Sequence, residues 1–351
     1  MELTKINENL VNRIRKDIFY LIKKSYNVKN IENYSVIYAD IMRYVELLDE
    51  LDVYCDDIFK YIFPETRKDT SDKHLKENFE ECKKTVQFDD DFVGKLADIL
   101  IESNYFHGNF KNMIQKITEN EMYEMTFDFL NNYNPSLSNQ LSSMLKEERI
   151  IIKKSDGRIE NGCTVCSITK FSPYIIIYSL HNIVDTVTLI HEMGHVYHFQ
   201  KIEQLRNKQY FNIVYNNQLE VYSHYLELLS YDYFSGKINK IDILNLKRTL
   251  IKTLIEFYAY LEIGLTQLNI KNYKENYEDY FKDYNYGRGI LIALEFYDMY
   301  QNDKEKADYN IEKYISETGK YDFLTTIDKY GLNREHIESC EAVKKYIKEI
   351  F

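Results

Sequence analysis

Turn-forming residues are scarce in this chain. Its 351 residues include only 3 Pro and 11 Gly, which excludes collagen-like, proline-rich and turn-dense β architectures. Positive charge is also short, since 45 Lys and Arg face 56 Asp and Glu for a net charge of −11. Phosphate backbones bind basic surfaces, so no nucleic-acid partner is expected. An acidic surface suits small, neutral or basic peptides without requiring them. Long apolar runs are missing. A membrane span needs about 18 or more apolar residues, and the most apolar stretch, Tyr174 to Leu180, is only strand-sized, so no membrane association is expected. The segment from Met1 to Lys24 has no apolar h-region, being interrupted by Asn7, Glu8, Asn12, Arg15 and Asp17. It does not read as a secretory signal. Five cysteines form an odd count, and reduced thiols in a cytoplasmic protein are the expectation.

What is present is core-forming bulk. Apolar residues make up 44% of the chain, with 33 Tyr and 19 Phe among them, too many for a solvated coil. The length fits one large domain or two ordinary ones. Residues 1–148 read as helices. From Asn30 to Phe63 the apolar positions recur at helical spacing, with a break expected near Leu51 and a stop at Pro64. Met122 to Tyr133 continues the pattern and ends at Asn134-Pro135. The texture changes at Arg149. Ile150, Ile151 and Ile152 are β-branched, Asp156-Gly157 and Asn161-Gly162 are turn signals, and Tyr174 to Tyr178 is a short apolar run. A small β-element over residues 149–178 is therefore expected inside a mainly α protein. From Asn182 onward the chain reads as helical, with turns near Gly236, Gly319 and Gly331. A soft boundary near residue 148 separates a helical region, 1–148, from a region 149–351.

The strongest chemical signal is His191-Glu192-Met193-Gly194-His195. Histidines four apart project from one helical face and can grip one metal ion, with the intervening glutamate placed to take a proton from a water the ion activates. Zinc suits such ligands. The plain alternative is a helix with two incidental histidines. A catalytic zinc takes three protein ligands and keeps one position open. The metzincin continuation fails, because positions 198 and 201 hold His198 and Lys201 where Gly and His are required. A carboxylate from a following helix is the alternative, and Glu220 supplies it 25 residues after His195. Glu227, seven residues on, shares the face of Glu220 and suits a carboxylate that orients a histidine ligand. A solvated charged face is the ordinary fate of glutamate, but Tyr225, Leu226, Leu228 and Leu229 surround this one.

These pieces, in this order, resemble the thimet oligopeptidase and oligoendopeptidase F zinc peptidases. Asp185 to His195 resembles the family's metal helix, and Glu220-x-x-Ser223-x-x-x-Glu227 its third-ligand helix. Ser172-Pro-Tyr-Ile-Ile-Ile177 is similar to the strand before the metal helix. Tyr284-Asn-Tyr-Gly-Arg-Gly289 is similar to a tyrosine-rich segment, and Phe323 to Gly331 to the closing helices. The resemblance covers about residues 160–351. It implies a helical lid in 1–148 and a catalytic region in 149–351, with a deep substrate channel and a small sheet beside the zinc helix. It implies an endopeptidase for short unstructured peptides, with one Zn2+ per chain on His191, His195 and Glu220. Glu192 is then the general base, and Glu227 and Asp185 are supporting carboxylates. Tyr286, Tyr284 or Tyr280 would donate to the oxyanion. Gly162 and Cys163 would lie on an edge strand against which an extended peptide pairs. Two departures stand out. The family usually has a histidine just upstream of its tyrosine cluster, and residues 265–290 contain none. The chain is also short for the family, so a reduced lid and a more open channel are expected.

Cys163 and Cys166 form one pair, half of what a zinc ribbon needs, and Cys55, Cys82 and Cys340 do not complete it. His198 and His224 lie near the ligands in sequence and are expected to be ordinary, partly buried histidines. Other readings remain open: a zinc-containing peptide-binding protein without turnover, or an exopeptidase on the same scaffold. The sequence leaves the oligomeric state open.

Overall fold

A computed structural model describes residues 8–25, 31–51, 53, 113, 115–155, 161–167, 171–204, 217–267, 287, 289–317 and 323–350. The chain is mainly α, with one small sheet among the described residues. Two helices come first, α1 (Glu8–Ser25) and α2 (Ile31–Glu50). After them come α3 (Glu119–Tyr133) and α4 (Pro135–Lys146), then strands β1 (Ile150–Lys154), β2 (Gly162–Val165) and β3 (Tyr174–Ser179). The metal-motif helix α5 (Ile183–Gln204) is followed by α6 (Asn217–Phe234) and α7 (Lys240–Gln267). The last elements are α8 (289–302), α9 (Lys304–Ser316), α10 (Phe323–Lys329), α11 (Arg334–Glu338) and α12 (Glu341–Ile350).

Local chemistry sets several boundaries. Thr118 and Glu121 form a reciprocal capping box at the start of α3. Pro135 opens α4 at a position where its missing N–H costs nothing, and Asn134 caps it. The expected break near Leu51 is present: the Leu51 N–H closes the last turn of α2 onto Leu47 and Leu48. Gly236 and Gly331 occupy left-handed turns at φ +84° and +70°, while Gly319 lies outside the described residues.

The strand order is β1-β3-β2. β1 runs parallel to β3, with Ile150 opposite Ile175. β2 runs antiparallel, with Gly162 opposite Ile177 and Thr164 opposite Ile175. β3 is the central strand, all six of its residues are buried, and alternation sends them to two different cores. Ile175 and Ile177 join the large core built by α3 to α12. Tyr174, Ile176 and Tyr178 join a second core formed by α1 and α2, including Leu10, Ile14, Ile18, Ile41 and Leu48. Both faces being covered explains why β3 reads as an unbroken apolar run.

Helix α5 lies against the sheet, buried along its length from Ile183 to Phe199. Its N-terminus is fixed to β3 by Asp185, whose carboxylate accepts from the backbone N–H groups of Leu180 and His181 and from Ser179 Oγ. Among the described residues, no helix is long and apolar enough to cross a membrane.

Candidate metal centre

Helices α5 and α6 pack closely because Gly194 permits it. A Cβ there would begin 2.7 Å from Ser223 Cα, so no larger residue fits at this crossing. The close approach places Glu220 of α6 opposite the two histidines of α5. His191 Nε2 and His195 Nε2 lie 3.0 Å apart, and Glu220 Oε2 is 3.4 Å from the first and 3.5 Å from the second. Gly289, at the start of α8, backs onto the third member, since a Cβ there would fall 2.3 Å from Glu220 Cβ.

The triangle has the dimensions a metal requires. Zinc with four ligands at about 2.0–2.1 Å spaces its donor atoms about 3.3 Å apart. Glu220 Oε2 is buried and has no hydrogen-bond partner. A buried carboxylate oxygen left this way is costly in a finished protein, and a cation between it and the two imidazoles would satisfy it. Burial tends to raise the Glu220 carboxyl, but the facing histidines override this and hold it well below the usual carboxylate range. His191, His195 and Glu220 therefore form a donor set suited to a divalent metal.

Glu192 is beside the triangle and 4% exposed. Burial raises its carboxyl above the ordinary range, against the pull of His191 and His195. Thr164 of β2 donates to Glu192 Oε2 at 2.7 Å. The sequence reading passed over this threonine. The signal was alternation along β2, which sends Thr164 to the same face as Gly162 and so toward α5.

Behind the triangle, Glu227 accepts from His191 Nδ1 at 2.8 Å, which turns the Nε2 lone pair toward the centre. Glu227 also contacts His224 Nδ1 at 3.2 Å and the Tyr231 hydroxyl at 3.3 Å. Burial opposes its ionisation, but His224 and His191 lower its carboxyl to about 2. His224 and Tyr231 were not picked out as site residues, although both share a helical face with Glu227, at three residues before and four after.

Asp185 is not behind the ligands. It lies six residues before His191, about 240° around the helix, and ties β3 to α5 instead. Gly162 serves the helix: its open side meets Thr188 Cγ2 at 2.6 Å and Glu192 Oε1 at 3.1 Å from an idealised Cβ. The Cys163 side chain packs on the opposite face of β2, against the α1–α2 core. Cys166 is buried beside Phe199, Ile202 and Leu219, and burial pushes its thiol up to about 12. Neither cysteine joins a metal-ligand group among the described residues. His198 is wholly buried, and burial lowers its imidazole to about 3, which keeps the ring neutral. Tyr280, Tyr284 and Tyr286 lie outside the described residues.

No family model and no curated protein sequence matches the chain. Solved structures do match. One is a Bacillus anthracis protein provisionally named oligoendopeptidase F, at TM-score 0.52 and 13% identity, covering 92% of this chain and 63% of its own. Another structure provisionally named oligoendopeptidase F gives TM-score 0.54 and 13% identity over 90% of this chain and 63% of its own. PZ peptidase A, solved with an inhibitor, gives TM-score 0.51 and 13% identity over 99% of this chain and 76% of its own. The chain thus spans less than two thirds of the length of the first two. At this identity the likeness is one of fold, and the fold is that of structures named for the family its motifs resemble.

Proposed function

We propose that this chain is a zinc-dependent endopeptidase acting on short, unstructured peptides. The observation that carries the reading is the triangle of His191 Nε2, His195 Nε2 and Glu220 Oε2, with the unpartnered carboxylate oxygen at one corner and Glu192 beside it. The names of the structural neighbours agree with it. Bound at this triangle, zinc would supply a Lewis acid that polarises a carbonyl and lowers the pKa of a water to about 7.

The chain's own residues do the rest. Glu192 takes the proton from the attacking water and passes it to the leaving amine. Its raised carboxyl, a consequence of burial, suits the second transfer as well as the first. Thr164 holds Oε2 and fixes the plane of the carboxylate. Glu227 holds His191 in the tautomer that presents Nε2 to the metal. β2 is an edge of the sheet and carries Thr164, so a peptide paired along it would lie across Glu192. Oxyanion donation is assigned to Tyr286, Tyr284 or Tyr280 on the sequence resemblance alone.

The test is hydrolysis of a quenched fluorescent peptide mixture by zinc-loaded protein and by Glu192→Gln. The wild-type chain is expected to cleave internal bonds, and the variant to lose about 100- to 10,000-fold in rate while still binding zinc. Zinc binding without cleavage by either protein would overturn the enzyme reading in favour of a peptide binder. Release of single terminal residues would make it an exopeptidase.

A further inference from the structure

Helix α6 carries more than a metal ligand. Glu220, His224, Glu227 and Tyr231 stand at intervals of four, three and four residues, one stripe along a single face. His224 sits between the two carboxylates. It is 5% exposed, its Nδ1 is 3.2 Å from Glu227 Oε2, and its Nε2 is 3.9 Å from Glu220 Oε2. The second distance exceeds hydrogen-bond length, so the firm contact is the one to Glu227. The ring packs edge-on against the first metal-ligand imidazole, with His191 and His224 centroids 4.8 Å apart at 68°.

Glu227 therefore has two differently occupied oxygens. Oε1 takes the His191 N–H alone. Oε2 takes His224 Nδ1 and the Tyr231 hydroxyl. An ionised carboxylate only accepts, so His224 must present Nδ1–H to it. With Oε2 pinned by two donors from its own helix, the carboxylate plane cannot rotate, and Oε1 stays aimed at His191. Without that restraint Glu227 could turn toward either imidazole, and His191 would lose its fixed tautomer.

We infer that His224 is a positioning residue for the metal centre: through Nδ1 it locks Glu227, and Glu227 in turn holds His191 ready to bind zinc. The inference rests on the zinc reading above, and it adds a third layer behind the ligands, built into α6 itself. Hydrogen-bonded partners of the ligands typically affect metal affinity by about 10- to 100-fold, and losing the hold on Glu227 acts through that partner.

Two variants separate the hydrogen bond from the bulk of the ring. His224→Phe keeps an aromatic ring and removes both nitrogens. His224→Asn places an amide N–H near the position of Nδ1. Zinc affinity of the full chain is measured by competition with a chromophoric chelator. His224→Phe is expected to bind zinc about 10- to 100-fold more weakly, and His224→Asn to stay within about threefold of the unmodified chain. Equal affinity of His224→Phe and the unmodified chain overturns the inference, and so does an Asn variant as weak as the Phe variant. A second measurement needs no variant. Long-range nitrogen NMR of the metal-free, unmodified protein is expected to show a protonated Nδ1 on His224, and a bare Nδ1 overturns the inference even where His224→Phe does not fold. Failure of the unmodified chain to take up zinc would overturn the peptidase reading instead, and the imidazole spectrum would still decide the role of His224.

Discussion

On the α1–α2 side of the sheet the buried carboxylates are held by donors, whereas the α5–α6 side, beside the donor-held Asp185 and Glu227, leaves one carboxylate oxygen open. On the α1–α2 side, Asp17 accepts from Ser172 Oγ and the Tyr174 hydroxyl, and Asp40 accepts from Ser167 Oγ and pairs with Arg43. The Tyr44 hydroxyl joins them, accepting from the Ser167 N–H and donating to the Ser172 carbonyl. Apart from the Asp40–Arg43 pair within α2, these contacts hold β3 and the segment between β2 and β3 to the first two helices. On the α5–α6 side, Glu220 Oε2 faces two imidazoles and has no hydrogen bond. A buried acid with donors around it is part of the architecture. A buried acid aimed at ring nitrogens, with an oxygen left without a hydrogen bond, marks a candidate metal site.

Glu295 lies between these cases and shows the cost of being half satisfied. It is 6% exposed, one oxygen pairs with His336 Nδ1 at 2.9 Å, and the other has no partner. No further metal-ligating side chain converges on it among the described residues. Burial pushes its carboxyl up to about 7, with His336 only partly offsetting this.

The comparison breaks most sharply at Glu220. Glu220→Gln is expected to cut zinc affinity on the order of 100-fold or more, as loss of one ligand from a site of about 10–16 kcal/mol implies. The metal-free variant should lose only modest stability to urea, because the facing histidines favour the ionised carboxylate while burial opposes it. A metal-free variant that unfolds far more readily would place Glu220 with the structural acids. Next in size is Glu295. The unfolded chain releases this proton near 4.5 and the folded chain near 7, so the folded state holds more protons between those values. Its contribution to stability is full below pH 4.5 and is lost as pH rises through 7, about 3 kcal/mol in all. Urea titrations at pH 5 and pH 8 should show that decline in the wild-type chain and a flatter profile in Glu295→Gln. The smallest effect belongs to Tyr44→Phe. It leaves a buried N–H and a buried carbonyl short of a partner, a loss of roughly 1–3 kcal/mol, with zinc affinity unchanged. A large fall in zinc affinity would show that the two sides of the sheet are coupled.

The candidate donor triangle was legible because helical periodicity is a property of sequence. His191 and His195 declare their shared face by spacing alone, and Glu220 follows once the metzincin pattern fails. The β-element was legible from Ile150 to Ile152 and from the turn signals around it. What was not legible depends on how elements meet. Thr164 reaches Glu192 only because Gly162 lets β2 lie on α5. Gly289 matters only because α8 starts against Glu220. Asp185 looked like a companion of the metal helix, yet its reach is to the backbone of Leu180 and His181, a contact decided by the turn between β3 and α5. His224 carried the right spacing, but nothing local distinguishes an imidazole that holds a carboxylate from one that merely fills a core.

The face that α1 and α2 offer to the sheet has a consequence for synthesis. Asp17 finds Ser172 across 155 residues of chain. At about 5–20 residues per second, roughly 8–30 seconds pass between the emergence of one partner and the other. Through that interval Leu10, Ile14, Ile18 and Ile41 have yet to meet Tyr174, Ile176 and Tyr178. Helices α1 and α2 thus leave the ribosome well before the strand that covers them, and their apolar faces stay open through that interval.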